Sequence, residues 1–228
     1  MIGLNLELPL ENPWRVLPEQ PPYILPADRE VLRSSGKDPA QLRLNLLPMP
    51  FLGDPRTASV VLLALNPGYH PRDDVDILDS TYRDLAKQSL LLGPSSLWCL
   101  DGRIRGTPAH RWWSTHLSRL IIDCGLQKVR QAIACVQWFP YHSATFRHLG
   151  RTLPSQEYGF RLVMQAVNRN GLIVILRSKR LWLQAVPQID VAHFLQLRVP
   201  RSAFLSPANL PPGGYELVKN RVLAAGVD

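Results

Sequence analysis

The sequence predicts an α/β domain in three layers, α/β/α, built on a central four-stranded parallel sheet. Three observations carry this. Short apolar runs recur at residues 60–65, 132–136 and 172–176, each the length of a strand buried on both faces, and 193–197 reads as a fourth strand. Stretches with helical spacing separate them. Each run also leads into a polar or turn-forming residue, and in a parallel sheet those ends share one edge, where open α/β sheets keep their ligand crevices.

In chain order, residues 1–27 carry Pro9, Pro13, Pro18, Pro21, Pro22 and Pro26, which predicts extended coil on the domain surface, with Trp14 and Tyr23 as anchors. Residues 27–35 read as a short helix stopped by Gly36. Leu42, Leu44 and Leu46 alternate with polar residues and predict a short extended segment before Pro48 and Pro50. Asp54-Pro55 then turns into the first core strand. The chain is therefore expected to be a single domain over 1–228, with 1–57 a proline-rich extension packed on an α/β core of 58–225.

The first strand, Val60-Val61-Leu62-Leu63-Ala64-Leu65, stops on Asn66-Pro67-Gly68-Tyr69-His70, which places a carboxamide at its carboxyl end. A polar insert over 72–108 follows. Within it Ser80 is a plausible N-cap for a helix over 81–92 ended by Gly93-Pro94, and 93–108 reads as loop. Trp112, Trp113, Leu117, Leu120 and Ile121 fall on helical spacing over 109–124, with Gly125 as the stop. Arg111, His116 and Arg119 fall largely on its other faces and read as solvated. The second strand runs into Gln137-Trp138-Phe139-Pro140-Tyr141-His142-Ser143. Ser155 opens a helix through Val167, and the third strand ends at Arg177-Ser178, where Ser178 can cap a short helix carrying Leu181, Trp182 and Ala185. The fourth strand leads to Ser206-Pro207-Ala208-Asn209, and a last helix covers 215–225.

Bulk composition narrows the class. With 46% hydrophobic and 19% charged residues in 228, the chain is globular and long enough for a sizeable core. No apolar run approaches the ~20 residues that span a bilayer, and no secretory pattern opens the chain, so a cytoplasmic location is expected. Lys and Arg number 26 against 18 Asp and Glu, a net charge of +8, which favours a polyanionic partner. The three cysteines, Cys99, Cys124 and Cys135, have no C-x-x-C spacing, and the histidines show no metal-site spacing, so neither a metal nor a cofactor is expected. No glycine-rich phosphate fingerprint is present either. The polar strand ends, Asn66, Gln137, Arg177, Ser178, Ser206 and Asn209, include no strong acid or base. They suit a pocket that reads a neutral ring by amide hydrogen bonds and positions water.

Those ends also carry a resemblance. Leu65-Asn66-Pro67-Gly68 is similar to the first motif of the uracil-DNA glycosylase superfamily, most of all its single-strand-selective monofunctional and mismatch-specific branches. Gln137-Trp138-Phe139-Pro140 sits where those branches place an Asn and, two residues on, a Cys-Pro or similar pair. Ser206-Pro207-Ala208-Asn209 with Gly214-Tyr215-Glu216 resembles the closing motif of the single-strand-selective branch, His-Pro-Ser-Pro-x-Asn followed by Gly-Trp-Glu. The three lie in the family's order across roughly residues 58 to 225.

The resemblance implies a uracil-DNA glycosylase-like fold and a monomeric, base-flipping DNA glycosylase that needs no cofactor. Hydrolysis of the sugar–base bond would leave an abasic site. In that scheme Asn66 holds the water, Gln137 reads the base, Phe139 stacks on it, and Gly68 and Tyr69 wall the pocket. Ser206, Asn209, Ser178 and Arg177 meet the DNA, and the loop 210–214 wedges the duplex. The chain departs from the family at Gln137, in place of Asn, and at Phe204, in place of the His that donates to the leaving base. His142, Ser143 or backbone amides are candidates for that missing donor. These changes and the insert point to a rebuilt pocket, for uracil or for a bulky modified cytosine of the kind bacteriophages use to protect their genomes, in repair or antiviral defence. Two other readings stay open: a non-catalytic nucleic-acid-binding protein on the same fold, and an N-glycosidase of free nucleosides.

Overall fold

In the computed structural model, which describes residues 11–34, 41–93 and 96–226, the four expected strands all form. They are β2 (Val60–Ala64), β3 (Ile133–Gln137), β4 (Leu172–Ile175) and β5 (Phe194–Gln196). A further strand, β1 (Phe51–Leu52), joins them in the order β1-β3-β2-β4-β5. Neighbours among β3, β2, β4 and β5 are parallel, with Leu62 opposite both Cys135 and Val174. β1 lies antiparallel to β3, Phe51 opposite Val136.

The sheet is therefore mixed and five-stranded, where a four-stranded parallel sheet was expected. A two-residue strand between Pro50 and Gly53 has no periodicity to read. What creates it is tertiary, because β3 would otherwise expose an unpaired edge. Val60 to Leu63 and Ile133 to Val136 are wholly buried, as their unbroken apolar runs require.

The helices are α1 (Arg29–Ser34), α2 (Asp73–Asp76), α3 (Ser80–Leu90), α4 (Pro108–His116), α5 (Ser118–Cys124), α6 (Leu126–Ala132), α7 (Gln156–Asn168), α8 (Lys179–Ala185), α9 (Gln188–Val191) and α10 (Gly214–Ala224). α10 packs on α5, α6 and β2, while α7 packs on β3, β4 and α9. The strand order accounts for this division: the chain steps one way from β2 to β3 and the other way from β3 to β4 and on to β5, and crossovers of one hand then place their helices on opposite faces.

Local readings changed in several places. The cap of α3 is Asp79, which accepts from the Tyr82 N–H at 2.9 Å, rather than Ser80. The single helix expected over 109–124 is two, broken at Leu117 (φ −102°, ψ 6°), whose side chain is buried. Thr107 caps the first of these, accepting from the His110 N–H with Pro108 at the first helical position. Ser178 precedes α8 in a left-handed conformation and makes no cap bond. Gly36 and Pro94, expected as stops, lie outside the described residues.

The described part of the N-terminal extension is more than a surface coil. Trp14, Tyr23, Leu25 and Leu32 are core residues. The wholly buried carboxylate of Asp28 accepts from Tyr141 Oη (2.7 Å), Ser155 Oγ (2.6 Å) and the Ser155 N–H (3.0 Å), tying the extension to the turn after β3 and the start of α7.

Candidate functional site

The carboxyl ends of the parallel strands open onto one cavity of about 960 Å³. It is lined by residues 64–70 after β2, Gln137 and residues 142–146 after β3, Leu176 and Arg177 after β4, and Ala203 after β5. The insert and α4 close it from the side, through Asp73, Tyr82, Arg111, Trp112 and His116.

Backbone bonds continue the β2–β3 ladder past the strands. The Trp138 N–H donates to the Ala64 carbonyl (3.1 Å), the Phe139 N–H to Leu65 (2.8 Å) and the Ser143 N–H to Pro67 (3.3 Å). Trp182 Nε1 also donates to the Ala64 carbonyl (3.0 Å). The turn that carries Asn66 is thus clamped from both neighbours.

Asn66 is held by its amide nitrogen. Nδ2 donates to the Pro67 carbonyl (2.8 Å) and to Ser143 Oγ (2.9 Å). A carbonyl only accepts, so the NH₂ must face Pro67 and the orientation of the carboxamide is fixed. Oδ1 accepts no bond among the described residues, and Asn66 lines the cavity. Gln137 lies across from Ala64 at the end of β3 and also lines the cavity, with an Oε1 that is buried and unpartnered. That oxygen is closed off from solvent as the side chain stands, so Gln137 presents other atoms to the cavity.

His142 is only 5% exposed and its Nδ1 sits 2.7 Å from the Gly68 carbonyl, which it must meet as an N–H. Burial pushes the imidazole below its usual range, against the pull of the Gly68 and Leu47 carbonyls. A neutral ring with its proton on Nδ1 has no donor at Nε2, so His142 anchors the Gly68 turn and does not supply the missing N–H. An added Cβ at Gly68 would meet nothing within 4 Å, so that position borders open space. Tyr69 lines the cavity with its hydroxyl donating to Asp74 Oδ2 (2.7 Å) and the Arg43 guanidinium 4.1 Å above its ring. The bond to Asp74 raises the Tyr69 phenol and lowers the Asp74 carboxyl. Asp73, also on the cavity wall, accepts from the His70 N–H and is raised by burial.

The other expected site residues are placed differently. Phe139 does not reach the cavity: it is 2% exposed, packed against Tyr141 and Phe146, and Phe146 takes the place on the wall. Asn209 is spent within its own loop, accepting from the Val199 N–H (2.8 Å) and donating to the Phe204 carbonyl (3.0 Å), so its amide is not offered to DNA. Ser206 and Ser178 are half-buried and do not line the cavity. Arg177 does, with its guanidinium donating to the Pro200 and Arg201 carbonyls at 3.3 Å.

Residues read as a solvated helix face instead belong to the site. Arg111 and His116 line the cavity beside Trp112, which is 38% exposed. His116 stacks on Trp112 (ring centroids 4.0 Å apart) and on Phe204 (4.6 Å). Nothing in the helical spacing distinguishes a face turned to a cavity from one turned to bulk water.

Arg111 and Arg177 make no ion pair among the described residues. Within the same residues no group of three or more His, Cys, Asp or Glu is placed to hold a metal, and no helix is long and apolar enough to cross a membrane. Comparison of the chain with protein-family models, with curated proteins and with solved structures finds no match.

Proposed function

We propose that this protein is a monofunctional DNA glycosylase with a uracil-DNA glycosylase-like, three-layer fold, hydrolysing the N-glycosidic bond of an altered pyrimidine. The observation that carries the reading is the orientation of Asn66. Two bonds immobilise its nitrogen and leave its oxygen without a partner among the described residues, on a side chain that lines the cavity, which is what holding a water molecule requires. Glycosidic bonds of this kind break with both electrons leaving on the base. An oxocarbenium-like sugar remains, and water then adds to C1′. Asn66 Oδ1 orients that water; it is no base, so the barrier must fall through stabilisation of the departing base. Gln137, on the cavity wall at the end of β3, reads the base edge. Phe146, in place of Phe139, supplies an aromatic wall, and Arg111 and Arg177 offer charge to the flanking phosphates.

A cavity of about 960 Å³ lies at the upper end of the range for drug-sized ligands and exceeds what a bare pyrimidine fills. The cleft is open and also has to take the sugar of a flipped nucleotide, so it admits a bulky modified cytosine of phage DNA as well as uracil, for a role in antiviral defence or in repair. We take the working form to be a cytoplasmic monomer. The second reading is a nucleic-acid-binding protein on the same fold without chemistry, favoured by Phe204 standing where the resemblance expects a His.

The Asn66→Ala variant separates the two. On oligonucleotides carrying uracil, mismatched thymine or modified cytosines, and on modified phage DNA, the unsubstituted protein should yield abasic sites revealed by alkaline cleavage. The variant should lose at least 100-fold in rate while retaining DNA binding. No release of any base by the unsubstituted protein, with binding intact, selects the second reading.

A further inference from the structure

We propose that the end of the cavity walled by the insert is a subsite for a positively charged amine carried by the substrate base, received by the carboxylate of Asp73 and the hydroxyl of Tyr82. The ring that bears the amine is placed by the glycosylase reading above, on which this rests. That end lies beside Gln137, whose N–H donates to the Pro50 carbonyl (2.8 Å), and its apolar walls are Met49, Leu52, Cys99 and Trp113. α3 and α4 bring these together, since α3 packs on β1 and both helices pack on the turn Trp98–Leu100. Such walls suit the methylene groups of a substituent.

Two polar side chains interrupt the apolar walls. Asp73 is only 8% exposed and Tyr82 only 4%, and both line the cavity. Asp73 Oδ2 accepts from the His70 N–H at 2.7 Å, while Oδ1 has no partner among the described residues. The Tyr82 ring stands edge-on to Trp98, with centroids 5.2 Å apart, and its hydroxyl is likewise without a partner among the described residues. Neither of these two oxygens is closed off from solvent, whereas Asp76 Oδ2 next to them in the chain is. Polar atoms that are otherwise buried, unpaired and still reachable are those a ligand can satisfy.

A neutral hydroxyl can bond to both oxygens, so charge is what selects an ammonium. Asp73 makes no ion pair among the described residues. Burial raises its carboxyl most, Asp76 and Asp74 raise it further, and the His70 N–H and imidazole oppose them. What this corner of the cavity lacks is a cation. An ammonium offers three donors and no acceptor, so it can give one proton to Asp73 Oδ1 and another to Tyr82 Oη while its charge offsets the cost of the buried carboxylate.

The test uses oligonucleotides carrying 5-aminomethyluracil, 5-hydroxymethyluracil or 5-carboxyuracil, substituents of nearly one size that are cationic, neutral and anionic, with uracil beside them. Single-turnover excision is measured for the unsubstituted protein, Asp73→Asn and Tyr82→Phe, and binding by fluorescence anisotropy for the same three chains in the Asn66→Ala background. Circular dichroism and thermal melting establish that each variant is folded. The aminomethyl base should be preferred to the hydroxymethyl base by about 10-fold or more, and the carboxy base should be the poorest. Asp73→Asn should abolish the first preference and relieve the rejection of the carboxy base; Tyr82→Phe, which removes only the hydroxyl, should weaken the first preference. Differences in leaving-group acidity are common to all three proteins, so a change in these ratios reports the subsite. Release of uracil with no preference for the aminomethyl base, or with a preference that both folded variants keep, overturns the subsite and leaves the glycosylase reading standing. No release of any base, with the binding preference present and lost in Asp73→Asn, overturns the glycosylase reading and leaves the subsite. No release and equal binding of the three modified oligonucleotides overturns both.

Discussion

His142 was expected as a donor to the base and is instead the bolt of the turn beneath it. Its Nδ1 proton is spent on Gly68, and its ring is buried. Burial lowers its affinity for a second proton in the folded chain, whereas in the unfolded chain it titrates near 6.5. The stability this neutral ring contributes is therefore full above that pH and is lost as pH falls from about 6.5 toward the folded value. The His142→Gln variant, which loses the anchor, should be destabilised by about 1–3 kcal/mol at pH 7.5 in urea unfolding. The gap between the two proteins should narrow at pH 5. A gap independent of pH would mean that the ring does not titrate as its burial demands. Gln137 and Asn66 were legible because each ends an unbroken apolar run. Phe139 was not, because the ring that covers it, Phe146, comes from a loop with no pattern.

Gly53 governs the edge of the sheet. It follows β1 at φ +69°, and a Cβ there would meet the Ile133 carbonyl oxygen at 2.9 Å and Ala134 Cα at 3.4 Å. A left-handed conformation and a backbone clash act together, so Gly53→Ala should cost about 1–3 kcal/mol, read as a lower urea midpoint. The proposed excision should be retained by the folded fraction, because β1 sits at the sheet edge beyond β3 and contributes only Leu52 to the cavity wall. The long strands were readable from their apolar runs, and α7 from its 3.6-residue spacing. The break at Leu117 was not: the same spacing continues through it, and only the packing of α4 and α5 against different neighbours bends the chain there.

Across the molecule, Asp28 couples the N-terminal extension to the core that carries the site. Burial raises its carboxyl above the usual value, outweighing the bonds from Ser155 and Tyr141 that lower it. The sign follows: the unfolded group ionises near 3.9, the folded one higher, so the stability Asp28 contributes is full below about pH 4 and declines as pH rises through the folded value. Asp28→Ala leaves the Tyr141 and Ser155 donors unpaired and should destabilise by about 2–4 kcal/mol. That deficit should be larger at pH 4 than at pH 7. Limited proteolysis should cut the variant first within residues 11–34; resistance equal to the unsubstituted protein would mean the extension is held by Trp14 and Leu25 alone.

The sequence by itself determined the four parallel strands, their polar carboxyl ends and the single crevice those ends must share. Apolar run length and the one-edge rule of parallel sheets are local or topological, and both can be read along the chain. Only the tertiary structure decided which of those ends face the crevice. It bound the nitrogen of Asn66 to Pro67 and Ser143 and left its oxygen free of partners among the described residues, withdrew Phe139 and Asn209, and brought in Phe146, Arg111 and His116. It also drew the proline-rich extension into the core through Asp28 and added β1 to the sheet. The reason is physical: which side of a helix or turn meets a cavity is set by contacts between residues far apart in the chain, and such contacts leave no period in the sequence.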